Sequence, residues 1–324
     1  MIMTKSIGRQ AQIDMCFQHG PQLTLKNKAY SDSVDGLLHW MLASDRVDHD
    51  ITSSTLRLQR KTTAVVFTRQ AGIIAGLEEA CYLLGKYPAI SVQPQVEDGQ
   101  AVDQNTTLLS FSAEVTDVLR LERTVLNLIG RMSGIATQTN VLRQVAADNP
   151  HRPRIAGTRK TPWMALDKKA VYCGGGLTHR LNLSDSVLIK DNHLSSLQQQ
   201  TVDFNWAVAI QQAIQRVAEA GLPFFELEVE NFAQANTAIA TFDHIDSDRR
   251  MTMVLMLDNI KPAEAQTFIV GVQNNELYEH ILIEASGDIT HETLPLWVEA
   301  GVDVVSLGAL THSAKNFNIS MSLT

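Results

Sequence analysis

Hydrophobic and polar positions change rhythm along the chain. Between about Val34 and Val118, segments such as TTAVVFTRQAGIIAG and ISVQPQVEDGQAVDQNTTLLSF alternate apolar and polar residues, broken by a turn signal at Glu97-Asp98-Gly99. A period of two marks half-buried strands, so this part is expected to form a small sheet with one or two packing helices. From Leu121 the period lengthens, with Val125, Leu128, Ile129 and Met132 at helical spacing. Beyond that helix the apolar runs PRIAGT, SVLIK, FFELEVE, MTMVLML, ILIEAS and DVVSLGA alternate with helical stretches, two of them around Trp206 to Ala220 and His291 to Ala300. Repeated strand-helix alternation predicts a parallel α/β arrangement, either a barrel or an open doubly wound sheet.

The ends of those runs favour the barrel. Arg159 and Lys160, Lys190, Glu228, Asp258, Ser286 and Gly308 each fall where an apolar run stops. In an α/β barrel such ends converge on one face, where catalysis sits. An open sheet would string them along a crevice. Any one of them reads more plainly as a solvated loop residue; the coincidence of all of them points to a site.

Composition narrows the class of protein. The chain has 324 residues, 44% hydrophobic and 19% charged, the profile of an ordinary globular protein large enough for two domains or one barrel with an added layer. Cys16, Cys81 and Cys173 are too few and too scattered for a disulfide framework or a zinc cluster, which points to a reducing cytoplasm. The N-terminal stretch carries no apolar run of a secretory signal, and nothing approaches the roughly twenty apolar residues of a membrane span. A formal net charge of −8 disfavours a broad nucleic-acid footprint.

Against that acidic background, GTRKTPWMALDKKAVYCGGGLTHRLNLSDSVLIKDNHL, from Gly157 to Leu194, holds two Arg, four Lys and two His. Arg offers a planar fork to carboxylate or phosphate and Lys a compact point charge. Such cations on one face repel one another unless an anion sits among them. The plainer alternative is a set of salt bridges to Asp185, Asp191 and other neighbours. Gly174-Gly175-Gly176 is either a turn or a place where backbone amides approach an anion. It is not a dinucleotide fingerprint. Glu228 and Asp258, carboxylates at separate strand ends, are suited to Mg²⁺ beside a phosphate-rich ligand. Ser286-Gly287 and Gly308-Ala309 match the small-residue loops that barrels use for phosphate on their last strands. Together these features suggest a polyanionic sugar phosphate and an acidic co-substrate.

The same residues resemble the quinolinate phosphoribosyltransferase family. The likeness runs from DHDITSSTL at Asp48 through ERTVLNLIGRMSGIAT, TRKT, CGGGLTHRLNLSDSVLIKDNHL, ELEVEN, LMLDN and EASGDI to GVDVVSLGALTHSAK. It implies an α/β fold with an N-terminal α/β sandwich domain (1–120, of which 1–30 is an extension of unknown role), an incomplete seven-stranded α/β barrel (121–312) and a C-terminal tail (313–324) packed on the N-terminal domain. It implies phosphoribosyl transfer from phosphoribosyl pyrophosphate to quinolinate with decarboxylation, in a homodimer or higher homo-oligomer with shared active sites. Arg123, Arg159, Lys160, His179, Arg180 and Lys190 would bind the dicarboxylate and nearby phosphates, with Ser286, Gly287 and Gly308 at the 5′-phosphate. Glu228 and Asp258 would position ribose and Mg²⁺ and, with Lys160 and Lys190, form the catalytic set. Arg123 would reach the barrel of the partner subunit. No nucleic acid, membrane or covalent protein nucleophile is expected. Lys190 reads as an ion-pairing group, Cys173 as a packing residue and His193 as a loop brace.

Departures from the family pattern keep alternatives open. Gly157 replaces the usual acid, TPWMALDKKAV is about two residues shorter, Asp288 stands where a second glycine is common, and DRVDHDITS lacks the glycines usual around its turn. A phosphoribosyltransferase for nicotinate or another aromatic acid would use the same barrel. A non-catalytic paralogue would have lost several charged positions, and none of those named is lost.

Overall fold

The computed structural model describes residues 8–147, 153–198, 205–245 and 251–324, which divide into two compact units. The first contains the described residues of Met1–Gln18, Leu142–Arg159 and His179–Gly308. Its centre is a parallel sheet of β6 (Arg154–Gly157), β7 (Leu188–Ile189), β8 (Phe224–Val229), β9 (Thr252–Asp258), β10 (Ile281–Ser286) and β11 (Val304–Leu307). The spatial order is β6-β11-β10-β9-β8-β7. From β7 to β11 every crossover steps the same way, and the first strand in the chain then joins the last. Crossovers of one hand coil a sheet into a barrel, here open between β6 and β7. Six strands stand in this sheet among the described residues, against the seven that the resemblance implies.

β8, β9 and β10 are almost wholly buried runs of apolar residues, as expected of parallel strands covered on both faces. The helix α8 (Trp206–Ala220) lays Ala209, Ile210, Ala213, Ile214 and Val217 inward, starts at an Asn205 side-chain cap and stops at Gly221 in the left-handed region. The helix α9 (Phe232–Asp243) is capped in the same way by Asn231, while α10 (Pro262–Gln273) starts with proline at its first turn. The expected helix at 291–300 is shorter, α11 being Leu294–Ala300.

The N-terminal helix α1 (Arg9–Phe17) belongs to this unit and packs at the N-terminal ends of the strands. Arg9 forks onto Asp303 at 2.5 and 2.7 Å and donates to the carbonyls of Tyr278 and Ile281. Arg154 at the start of β6 reaches Asp14 at 3.1 Å.

The second unit contains His19–Val141, Lys160–Thr178 and Ala309–Thr324. Its antiparallel sheet has the order β12-β1-β5-β3, from β1 (Lys61–Thr68), β3 (Ser91–Pro94), β5 (Thr107–Glu114) and β12 (Ile319–Leu323), with a separate ribbon of β2 (Gly72–Ile73) and β4 (Ala101–Val102). The C-terminal β12 pairs with β1, Ile319 opposite Thr68 and Leu323 opposite Ala64.

Two expectations are corrected here. Val34 to Leu56 is helical, forming α2 (Lys28–Asp45) and α3 (Ile51–Leu56), because Tyr30, Val34, Leu38 and Met41 make a helical stripe behind an Asn27 cap. The long helix also starts earlier than expected. The helix α5 (Val115–Ala147) begins six residues earlier than its periodicity suggests and contributes its residues up to Val141 to the second unit. Its Ser133 and Thr137 hydroxyls accept from the amides of Ala75 and Ile73 at 3.0 and 2.9 Å. The helix α6 (Ala165–Cys173) also belongs there: Lys169 is buried against Glu78 and Glu79 of α4 (Leu77–Gly85). No helix among the described residues is long and apolar enough to cross a membrane.

Candidate active site at the strand ends

Register fixes which strand-end residues meet. Leu188 and Ile189 of β7 pair with Glu226 and Leu227 of β8, which places Lys190 level with Glu228. The two form an ion pair. Ser286 of β10 lies directly opposite Asp258 of β9. Burial, Asp258 and Asp191 together hold the Glu228 carboxyl above its usual range, opposed by Lys190. Asp258 accepts from the Asn259 amide at 2.8 Å. His193 braces this end of the sheet, its Nδ1 accepting from the Lys190 backbone N–H at 3.0 Å, as a loop brace should.

Arg159 and Arg180 supply the positive side. Arg180 is buried, with one weak bond to the Ser186 carbonyl at 3.4 Å. Burial and the neighbouring Arg159 both pull its pKa down. Glu226 and Asp185 act in the opposite sense on Arg180. Of the cations between Gly157 and Leu194, Lys169, His179 and Lys190 face carboxylates, as the salt-bridge alternative expects, whereas Asp185 accepts from the amides of Leu181 and Asn182 and Arg159 makes no ion pair among the described residues.

The phosphate-loop candidates lie beside these groups. Gly287 has φ +95, and a Cβ there would come within 2.3 Å of the Asn259 side chain and 2.8 Å of its backbone nitrogen, so only glycine fits. Asp288 also has positive φ, +44, and is exposed. Asp tolerates the left-handed region better than most residues, which accommodates it at a position where glycine is common. Gly308 follows β11 directly.

His179, expected among the substrate ligands, lies against two buried carboxylates. Its ring is buried between Glu226 Oε1 at 3.3 Å and Glu284 Oε1 at 3.5 Å. β9 separates β8 from β10, so carboxylates that share one imidazole must face the concave side of the sheet. From α1, Phe17 packs edge-on against the ring at 5.2 Å and its carbonyl accepts from the His179 N–H. The ring Nδ1 lies 2.7 Å from the Arg180 backbone nitrogen, and Nε2 faces the two carboxylates. The three residues form a buried charged triad in which one imidazole faces two carboxylates. Sequence reasoning missed Glu226 and Glu284. The available signal was an acid inside an apolar strand, FFELEV and ILIEAS, since a buried charge requires a partner.

The glycine run is a turn. Gly174, Gly175 and Gly176 donate their amides to Ala170, Tyr172 and Val171 and so close α6, leaving none for an anion. A Cβ on Gly174 would stand 2.4 Å from the Ala136 carbonyl of α5. The thiols are not activated: burial pushes Cys16 and Cys173 up to about 12. Arg123 and Lys160 belong to the second unit. Arg123 projects from α5 with 71% of its side chain exposed, its only ion pair among the described residues being a 3.4 Å contact to adjacent Glu122.

Residues 50–133 match the profile of the quinolinate phosphoribosyl transferase N-terminal domain, and residues 135–322 that of the C-terminal domain. The chain belongs to the quinolinate phosphoribosyltransferase family. It is 34% identical over 302 residues to the nicotinate-nucleotide pyrophosphorylase [carboxylating] of Mycobacterium leprae, covering 91% of this chain and 97% of that one. A probable enzyme of the same name from Methanothermobacter thermautotrophicus is 31% identical over 293 residues, 89% of this chain and 98% of that one. Among solved structures, the nicotinate-nucleotide pyrophosphorylase of Francisella tularensis superposes with a TM-score of 0.75 at 30% identity, covering 90% of this chain and 96% of that one. Family membership therefore extends across both units.

Proposed function

We propose that Arg159, Arg180 and Lys190 bind the carboxylates of quinolinate, and that Glu228, Asp258, Ser286, Gly287 and Gly308 receive phosphoribosyl pyrophosphate at the adjoining strand ends. As a member of its family the chain is a pentosyltransferase. It transfers the phosphoribosyl group to quinolinate with loss of CO₂, giving nicotinate mononucleotide and pyrophosphate for NAD biosynthesis. The observation that supports the site assignment is the buried Arg180 guanidinium with Arg159 as a like-charged neighbour, in the same unit as Lys190. That surplus of positive charge exceeds what one carboxylate requires.

The reaction needs orientation and fixed charge more than a nucleophile. The pyridine nitrogen attacks C1 of the ribose as pyrophosphate leaves, and positive charge builds on the sugar. Arg159 and Arg180 hold the ring by its carboxylates, so that the attack becomes in effect unimolecular. Glu228 and Asp258 present negative charge where the ribosyl cation develops. Once the ring nitrogen is quaternary, the adjacent carboxylate leaves as CO₂, its electron pair is stabilised by the neighbouring N⁺, and a proton from water then takes its place on that ring carbon. Lys160 adds a further anion ligand on the resemblance, and Arg123 acts in the partner's site within a homodimer. His179 serves as a buried support under Arg180.

Mg²⁺ fits the donor set: Glu228 and Asp258 are oxygen donors on neighbouring strands, and their mutual repulsion, which raises Glu228, is what a divalent cation relieves. When bound there it would neutralise the departing pyrophosphate. The unactivated thiols agree with a cytoplasmic home. Calorimetry tests the anion site. Arg159→Gln and Arg180→Gln should each weaken quinolinate binding by roughly a hundredfold, as expected for a lost buried charge contact. Unchanged affinity in both would contradict the assignment.

A further inference from the structure

The second unit holds the loop after Lys160 through a buried hydrogen-bond network. Thr161, Pro162, Trp163 and Met164 connect Lys160 to α6, with Met164 at φ +47. Pro162 has no N–H to offer, and the loop makes no strand. Its donors converge instead on one buried carboxylate. Asp167, in the first turn of α6, accepts from the Thr161 hydroxyl and from the Trp163 N–H at 3.3 Å. Arg131 of α5 grips the same carboxylate with both arms of its fork, Nε to Oδ1 at 2.8 Å and Nη2 to Oδ2 at 2.7 Å, and lies 5.2 Å from the Trp163 ring centroid.

The connections continue past this ion pair and return to the starting point. Arg131 Nη2 also donates to the Thr311 carbonyl at 2.9 Å, and the Thr311 hydroxyl donates to the carbonyl of Lys160 at 2.8 Å. The circuit therefore starts on Lys160 and ends on Thr161, consecutive residues. Asp167 and Thr311 are fully buried, whereas Lys160 is exposed. A buried carboxylate satisfied by a fork, a hydroxyl and an amide has one low-energy arrangement, and removing any donor leaves charge uncompensated. Such a network holds rigid the backbone on both sides of a single exposed lysine.

We infer that Arg131, Asp167 and Thr311 are positioning residues for Lys160, a closed hydrogen-bonded clamp that fixes the backbone from which this lysine meets its anionic substrate. The inference rests on the reading of Lys160 as a substrate ligand. A flexible lysine on a loop loses backbone freedom when it engages an anion, and a clamp removes that loss before binding.

Thr311 provides the clean test. Thr311→Val removes the hydroxyl bonded to Lys160 with almost no change of shape, and Thr311→Ser restores it. kcat/KM for quinolinate should fall about three- to tenfold in the valine variant, the range for one hydrogen bond, and return to within about twofold of wild type in the serine variant. In a Lys160→Ala background, Thr311→Val should lower the rate no further, because the lysine it positions is gone. Micromolar enzyme and long incubations keep those slow rates readable. Asp167→Asn should act in the same direction more strongly; should it fail to fold, the Thr311 pair still decides. Equal losses from Thr311→Val in both backgrounds, or no loss in either, would overturn the clamp. Full activity in Lys160→Ala alone would instead overturn the role given to Lys160.

Discussion

Lys190 and Glu228 are ion-paired across neighbouring strands of the barrel. The lysine is therefore held in place before any substrate arrives, and it opposes the upward push that burial and the nearby Asp258 exert on the Glu228 carboxyl. Lys190→Ala should remove both effects. We expect kcat/KM for quinolinate to fall by one to several orders of magnitude, about 2–5 kcal/mol for a charge contact of this kind. The melting temperature should hardly move, because the pair lies at an open strand end. A variant that retains activity, or that does not fold, would make the pair a structural salt bridge.

The buried triad predicts a pH dependence of stability. Burial and Glu226 raise Glu284 to about 7 from its ordinary 4.5. Burial alone would lower His179, but Glu226 and Glu284 overcome it and lift the imidazole to about 9 from 6.5. Both shifts are upward, so between pH 5 and 9 the folded chain binds more protons than the unfolded chain. Stability must then decline as pH rises through that window. Urea unfolding at pH 5, 7 and 9 should show the decline, and Glu284→Gln should flatten its lower part. An identical slope in wild type and variant would remove the triad from the account.

Arg123 tests the shared site. It stands exposed on α5 with only its neighbour Glu122 as ion-pair partner among the described residues. Arg123→Ala and Lys190→Ala chains, each inactive alone, can be unfolded and refolded together in equal amounts. Half of the dimers will be mixed, and in each mixed dimer one site carries both defects and the other none. Activity should return to about a quarter of wild type if assembly is random. No recovery despite verified mixed dimers would place Arg123 in its own chain's site.

Metal dependence follows from the carboxylate pair. Chelation should abolish turnover and Mg²⁺ should restore it. Asp258→Asn should raise the Mg²⁺ concentration for half-maximal rate by roughly tenfold or more, since one charged oxygen ligand is lost. Full activity in chelator would remove Mg²⁺ from the mechanism.

The strand ends were legible in the sequence because apolar runs buried on both faces end abruptly, and Lys190, Glu228, Asp258 and Ser286 stand where they end. The same alternation made a parallel α/β arrangement legible, whereas the strand order came only from the structure. Three features were not legible. The helix from Lys28 to Asp45 was hidden because its buried stripe is narrow, Tyr30, Val34, Leu38 and Met41 on an otherwise polar element. The role of His179 depended on Glu226 and Glu284, brought together from β8 and β10 only when the sheet curls. Gly174 to Gly176 carry the composition of an anion loop, but their amides close α6. Local pattern reports burial and ends of elements; it does not report which distant residue completes a buried polar group.

The central claim is that the cations at the barrel's strand ends select a dicarboxylate. Purified enzyme given phosphoribosyl pyrophosphate and Mg²⁺ should be offered quinolinate and nicotinate separately, with nucleotide, CO₂ and pyrophosphate quantified. The account predicts equal amounts of nicotinate mononucleotide, CO₂ and pyrophosphate from quinolinate, and little or no nucleotide from nicotinate. Turnover of nicotinate with quinolinate inert would contradict it.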